Sequence, residues 1–143
     1  MSTPDFLLSE LSRIIEVPLA FDDNDLCVLE VDSTVMTLRR DAQMIILYGA
    51  LGDCFPTDPP AFWLRMMQGN VLLMETMRAA IALIPETETL CLMQAIDASK
   101  IGGDTFEGTV LAFIHQTQRI VDAWDALYSG DEVEDTTLLE HML

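Results

Sequence analysis

The feature that most constrains this chain is a run of three apolar segments joined by links too short for anything but hairpins. Leu26 to Val31 is followed by Asp32-Ser33, then by residues 34–40, then by Asp41-Ala42-Gln43 and residues 44–49. Val, Ile, Leu and Thr in these segments suit pleated, half-buried backbone. Links of two or three residues force neighbouring strands to run antiparallel. Interior positions are mostly apolar on both parities: Val35 and Thr37 alternate with Met36 and Leu38, and Met44 and Ile46 with Ile45 and Leu47. A sheet with one wet face alternates more cleanly. Both faces of this meander are therefore expected to be covered, one of them by a partner from outside the chain.

Helices are expected on either side of the meander. Thr3-Pro4-Asp5 reads as a helix start: Thr3 caps, Pro4 suits the first helical position, and Asp5 favours the positive end of the helix dipole. Leu7, Leu8, Leu11, Ile14 and Ile15 then recur at helical spacing, and Pro18 ends the element by disfavouring helix at Val17. After a loop at 52–60, residues 61–75 read as a second helix, apolar almost all the way round, which calls for burial on every side and so for a dimer contact. Strands are expected at 78–84 and 90–96, joined by turn residues 85–89. In the last helix, capped by Asp104, Phe106, Val110, Phe113, Thr117, Ile120, Trp124 and Leu127 form one apolar face. The order α-β-β-β-α-β-β-α specifies an α+β fold, one domain over 1–130 with an antiparallel sheet, followed by an acidic tail at 131–143.

Charge and composition narrow the function. The 143 residues hold 7 Lys plus Arg against 24 Asp plus Glu, a net charge of −17, yet half of them are hydrophobic. Disordered acidic chains lack the apolar residues needed to offset chain entropy, so this one folds. Direct nucleic-acid binding is disfavoured, because phosphate recognition runs on basic clusters and the best one here is Arg39-Arg40. The same charge disfavours an anionic membrane surface, and no segment reads as a bilayer span or a targeting signal. Cys27, Cys54 and Cys91 are odd in number and widely spaced, which fits a reducing compartment, with Cys27 and Cys91 as small core residues.

Catalytic and metal chemistry find little support. His115 and His141 are the only histidines, and no G-x-S-x-G nucleophile turn occurs. Asp22, Asp23 and Asp25 lack the glycine and closing Glu of a calcium loop and read as a solvated turn. Gly102-Gly103-Asp104 precedes a helix but lacks a phosphate-loop Lys. Met66, Met67, Met74 and Met77 read as core filling or as an adaptable contact surface.

Several stretches carry a resemblance. Phe21-Asp22-Asp23-Asn24-Asp25-Leu26-Cys27-Val28-Leu29-Glu30-Val31-Asp32 is an acidic lead-in to a first strand with a terminal Asp. Leu47-Tyr48-Gly49 through Gly52, then Phe55-Pro56-Thr57-Asp58-Pro59, form a strand end and its loop. Gly69-Asn70-Val71-Leu72 lies in the second helix, and residues 120–128 around Trp124 in the last. Together, over most of 6–128, they resemble the class I chaperones of bacterial type III secretion, especially the group that includes the chaperone of the intimin receptor.

The resemblance implies a homodimeric, non-enzymatic cytosolic protein without cofactor or metal. Such a dimer binds the N-terminal segment of a secreted effector in extended form, with the secretion ATPase as a further partner. Under this reading Phe62, Trp63, Met66, Met67 and Leu73 are expected at the dimer contact, and Leu8, Leu11, Val28, Met36, Leu38 and Ile45 at the effector surface. An extended client can add a strand to a sheet edge or lay a helix in a groove. The alternative is a regulatory binding protein of related fold, an anti-activator or adaptor that sequesters another small protein.

Overall fold

A computed structural model of the chain describes residues 2–53, 60, 64, 67, 79–84 and 89–128. Helix α1 spans Pro4–Ile15, followed by strands β1 (Leu26–Val31), β2 (Thr34–Asp41) and β3 (Met44–Asp53). Strands β4 (Ala80–Ile84) and β5 (Thr89–Asp97) come next, then a short 3-10 turn (Ala98–Lys100) and helix α2 (Gly103–Tyr128). The five strands form one antiparallel sheet in the order β1-β2-β3-β5-β4, so β1 and β4 are its edges. The chain divides into two compact units, Met1–Gly49 with Gln94–His115 and Ala50–Met93 with Gln116–Leu143. The tail at 131–143 and most of the expected second helix lie outside the described residues.

Local chemistry sets the ends of α1. The Thr3 hydroxyl accepts the Phe6 N–H at 3.2 Å, and Pro4 occupies the first turn, where its missing N–H costs nothing. At the other end Glu16 turns left-handed (φ 58°), and its N–H and that of Val17 close on the Ser12 carbonyl. The Ser12 hydroxyl donates to the Val17 carbonyl at 2.6 Å and accepts the Leu19 N–H at 3.1 Å, fixing the exit of the chain before Pro18.

The hairpin links behave as their length requires. Asp32 and Ser33 both take positive φ (50° and 69°), the signature of a type I′ turn, whose twist matches that of the strands it joins. Ala42 is also left-handed (φ 53°) in the β2–β3 link. Pairing places Cys27 opposite Leu38 opposite Leu47, and Leu29 opposite Met36 opposite Gly49.

Burial alternates strictly along β1 and β2. The inner face carries Cys27, Leu29, Met36, Leu38, Ile45 and Leu47, all buried, and Leu7, Leu8 and Leu11 of α1 with Phe106, Val110 and Phe113 of α2 complete the core of the first unit. In the second unit Leu51, Ala79, Ile81, Leu90, Cys91, Leu92 and Ile120 are buried. The sequence reads as a meander with two covered faces, one of them covered by a partner from outside the chain. In the chain alone that outer face is partly open: Val28 is 64% and Val35 47% exposed. The apolar parity that lost the core positions stays at the surface, beside Thr37, Ile46 and Tyr48.

Helix α2 starts one residue earlier than its expected cap. Gly103 is its first residue, and the Phe106 N–H closes on the Gly102 carbonyl, so Asp104 sits inside the first turn and complements the dipole there. A Cβ on Gly103 would stand 3.2 Å from the Cβ and Cγ of Glu10, so a bare glycine is what admits α1 this close. Just upstream, the Asp97 carboxylate takes the Ser99 N–H and hydroxyl, which holds its pKa below the usual carboxylate value.

Candidate partner-binding surface

The outer edge of β1 follows from the phase of the hairpin. A two-residue I′ link makes Val31 and Thr34 a hydrogen-bonded pair, and such pairs recur at every second position of an antiparallel ladder. Cys27, Leu29 and Val31 therefore spend their backbone groups on β2. Past the other end of the strand, the Arg40 N–H reaches the Asp25 carbonyl at 2.8 Å, which is the same phase. Leu26, Val28 and Glu30 consequently aim their N–H and C=O away from β2.

At Leu26 that edge is closed. Its carbonyl accepts the Asp22 N–H at 2.8 Å and its N–H donates to Asp22 Oδ1 at 3.0 Å, so the acidic loop folds back as a plug. What stays open among the described residues is a two-residue window at Val28 and Glu30. The side chains of both are exposed, on the outer face of the sheet. Inside that face the Arg39 guanidinium lies 5.8 Å from the centre of the Tyr48 ring.

The loop that plugs the edge is clamped by Arg40. Its guanidinium bonds Asp5 of α1 at 2.5 Å and Asp25 at 2.6 Å and stacks 4.9 Å from the centre of the Phe21 ring. Five donors in one plane suit such a two-carboxylate clasp. The three acids read from sequence as a solvated turn thus have two assigned tasks: Asp22 closes the strand edge and Asp25 anchors Arg40. Between α1 and the segment clamped here runs a groove of about 280 Å³, lined by Asp5, Leu8, Ser9, Ser12, Leu19, Ala20 and Phe21.

The expected site residues divide sharply. Leu8, Leu11, Met36, Leu38 and Ile45 are all essentially inaccessible, packed in the core because they share the inner parity with the α1 stripe; Leu8 also backs the groove. Of the six, Val28 is the one whose side chain is exposed. Of the residues expected at a dimer contact, Phe62, Trp63, Met66 and Leu73 lie outside the described residues. Met67 is helical and 69% exposed, and Leu64, one helical turn before it, is 60% exposed. Glu30 and Val35 were not singled out from the sequence. The signal was there in the two-residue link, whose phase fixes which residues face the free edge.

Burial pushes the Cys91 thiol up to about 11 and raises that of Cys27, so both stay protonated at neutral pH and act as small apolar residues. No cluster of three or more His, Cys, Asp or Glu suited to a metal ion occurs among the described residues. No described helix is long and apolar enough to cross a membrane.

An open edge window beside a partly open apolar sheet face is the kind of surface to which an extended polypeptide adds a strand. Residues 6–120 match the Tir chaperone protein (CesT) family. The chain belongs to that family. Its members are type III secretion chaperones. The fold is shared by the chain matched in the HopA1-SchA chaperone-effector complex, with a TM-score of 0.68, 22% identity, and coverage of 81% of this chain and 91% of that one. A chain of the ExsC-ExsE complex superposes with a TM-score of 0.64 at 18% identity, covering 78% and 85%. The match to the Yersinia pestis type III secretion chaperone SycH in complex with a stable fragment of YscM2 has a TM-score of 0.60 at 10% identity, covering 81% and 98%.

Proposed function

We propose that this CesT-family chain is a cytosolic chaperone of a type III secretion system that binds the N-terminal segment of one or more effectors in extended form and keeps them soluble and export-competent. The observation that carries the reading is the open window at Val28 and Glu30. An extended client segment would continue the sheet there, exchanging main-chain hydrogen bonds with β1 and laying alternate side chains over Val28 and Val35. A second contact would come from the groove backed by Leu8, which has room for a client side chain. Leu11, Met36, Leu38 and Ile45 serve as the rigid support under this surface.

The work is binding, without a cofactor and without catalysis by the chaperone; the secretion ATPase is the partner that would supply energy. The protein acts as a homodimer whose contact includes Phe62, Trp63, Met66, Met67 and Leu73; of the described residues there, Leu64 and Met67 supply exposed apolar area. Its net charge of −17 keeps unloaded dimers apart while apolar surface is open. The core domain ends near residue 130, and the acidic tail adds to that repulsion.

Affinity purification of the intact chain from its native host, with mass spectrometry of what it retains, tests the function. An exported protein bound through its N-terminal segment is expected. Recovery of a small cytosolic regulator instead would favour a sequestering role. Sedimentation of Met67→Glu tests the dimer contact: a shift to monomer is expected, and a folded variant that remains dimeric would remove Met67 from it.

A further inference from the structure

We propose that Glu30 selects the partner strand: the β1 edge accepts a segment with Lys or Arg opposite Glu30 and an apolar, preferably β-branched, residue two positions away opposite Val28. This rests on the strand-docking reading above and adds a sequence rule for the partner.

Three observations carry it. First, the residues whose backbone groups face the open edge, Val28 and Glu30, also carry their side chains on the outer face, so a docked strand must set side chains directly beside them. Second, Glu30 is exposed and has no ion pair with a described residue. The nearby cations are engaged elsewhere, Arg39 over Tyr48 and Arg40 between Asp5 and Asp25. Third, the cross-strand neighbour of Glu30 on β2 is the exposed Val35, and Val28 lies two residues away. A single carboxylate thus stands in an apolar patch, with Asp32 following the strand. A cation opposite it gains Coulomb energy on both counts, whereas an acidic residue there meets like charge.

The test uses two acetylated, amidated peptides, Thr-Val-Thr-Lys-Thr-Val-Thr and its counterpart with Glu in place of Lys. Their symmetry serves either strand direction. Each is titrated into the intact 15N-labelled protein at low salt, and the shifts of the Val28 and Glu30 amides are followed. The Lys peptide is expected to bind about threefold more tightly or better, from the usual strength of a cross-strand charge pair. Glu30→Gln should erase the preference and Glu30→Lys should reverse it. Glu107→Lys on α2 makes the same change in net charge and should do neither. Binding that moves these amides with no preference between the peptides overturns the inference and leaves strand docking intact. A preference that survives Glu30→Lys also overturns it, because the global charge would then be the cause. If neither peptide moves these amides, strand docking at this edge fails and the inference with it.

Discussion

Val28 and Thr37 face each other across β1 and β2 on the same side of the sheet, yet proline should act very differently at the two positions. The ladder phase aims the Val28 N–H at the free edge, where proline deletes no hydrogen bond, and the restriction that proline places on the preceding residue is already met by the extended Cys27. The cost should be about 1 kcal/mol or less, mainly from the lost side chain and a tightened φ. Thr37 belongs to an inner strand, and the same phase aims its N–H at Tyr48 on β3. Proline there removes a ladder bond, strands a carbonyl and presses its ring on the neighbouring strand, at about 3 kcal/mol or more. With a urea m-value of about 1–3 kcal/mol/M, the two midpoints, measured at one protein concentration, should lie about 1 M apart. Val28→Pro should also abolish effector retention while leaving the fold intact. Equal destabilisation by the two prolines would refute the assigned ladder phase, and with it the claim that the Val28 edge is open.

Other outcomes follow from the same geometry. Leu38→Ala should cost about 2–5 kcal/mol in urea unfolding, because Leu38 is fully buried between Cys27 and Leu47 in register; a loss below 1 kcal/mol would mean it is not core. Ser33→Gly should raise stability by about 0.5–1 kcal/mol, since it relieves a positive φ at the second position of the I′ turn, and an unchanged or lowered melting temperature would argue against that turn. Asp97 has a folded-state pKa below its unfolded value, so its contribution is present above the unfolded pKa of about 4 and is lost as pH falls through the folded value. Carboxyl NMR should find Asp97 titrating below the value of an unperturbed aspartate, and Ser99→Ala should move it back up.

Much of the fold was legible because local chemistry decides it. Thr3-Pro4 starts α1, Pro18 stops it, and the short links at 32–33 and 41–43 fix an antiparallel meander whatever the rest of the chain does. The inward parity of that meander was not legible. Val28 and Leu29, Val35 and Met36, and Ile45 and Ile46 are neighbours of nearly equal hydropathy on opposite faces, and a shift of one residue exchanges the faces. Packing against Leu7, Leu8 and Leu11 settles the choice, and that information is not local. Met36, Leu38 and Ile45 accordingly read as surface candidates although they are core. Glu30 escaped notice for the converse reason: one acid among 24 stands out only once the strand edge is drawn.

The central claim is that the edge of β1 at Val28 and Glu30 is the place where a client strand joins. Amide hydrogen exchange at single-residue resolution, on the chaperone alone and on the complex with its captured effector, tests this most directly. Fast exchange at Val28 and Glu30 and slow exchange at the intervening Leu29 are expected in the free protein, with strong protection of Val28 and Glu30 in the complex. Protection at Val28 and Glu30 before loading, or no gain in protection on loading, would contradict the claim.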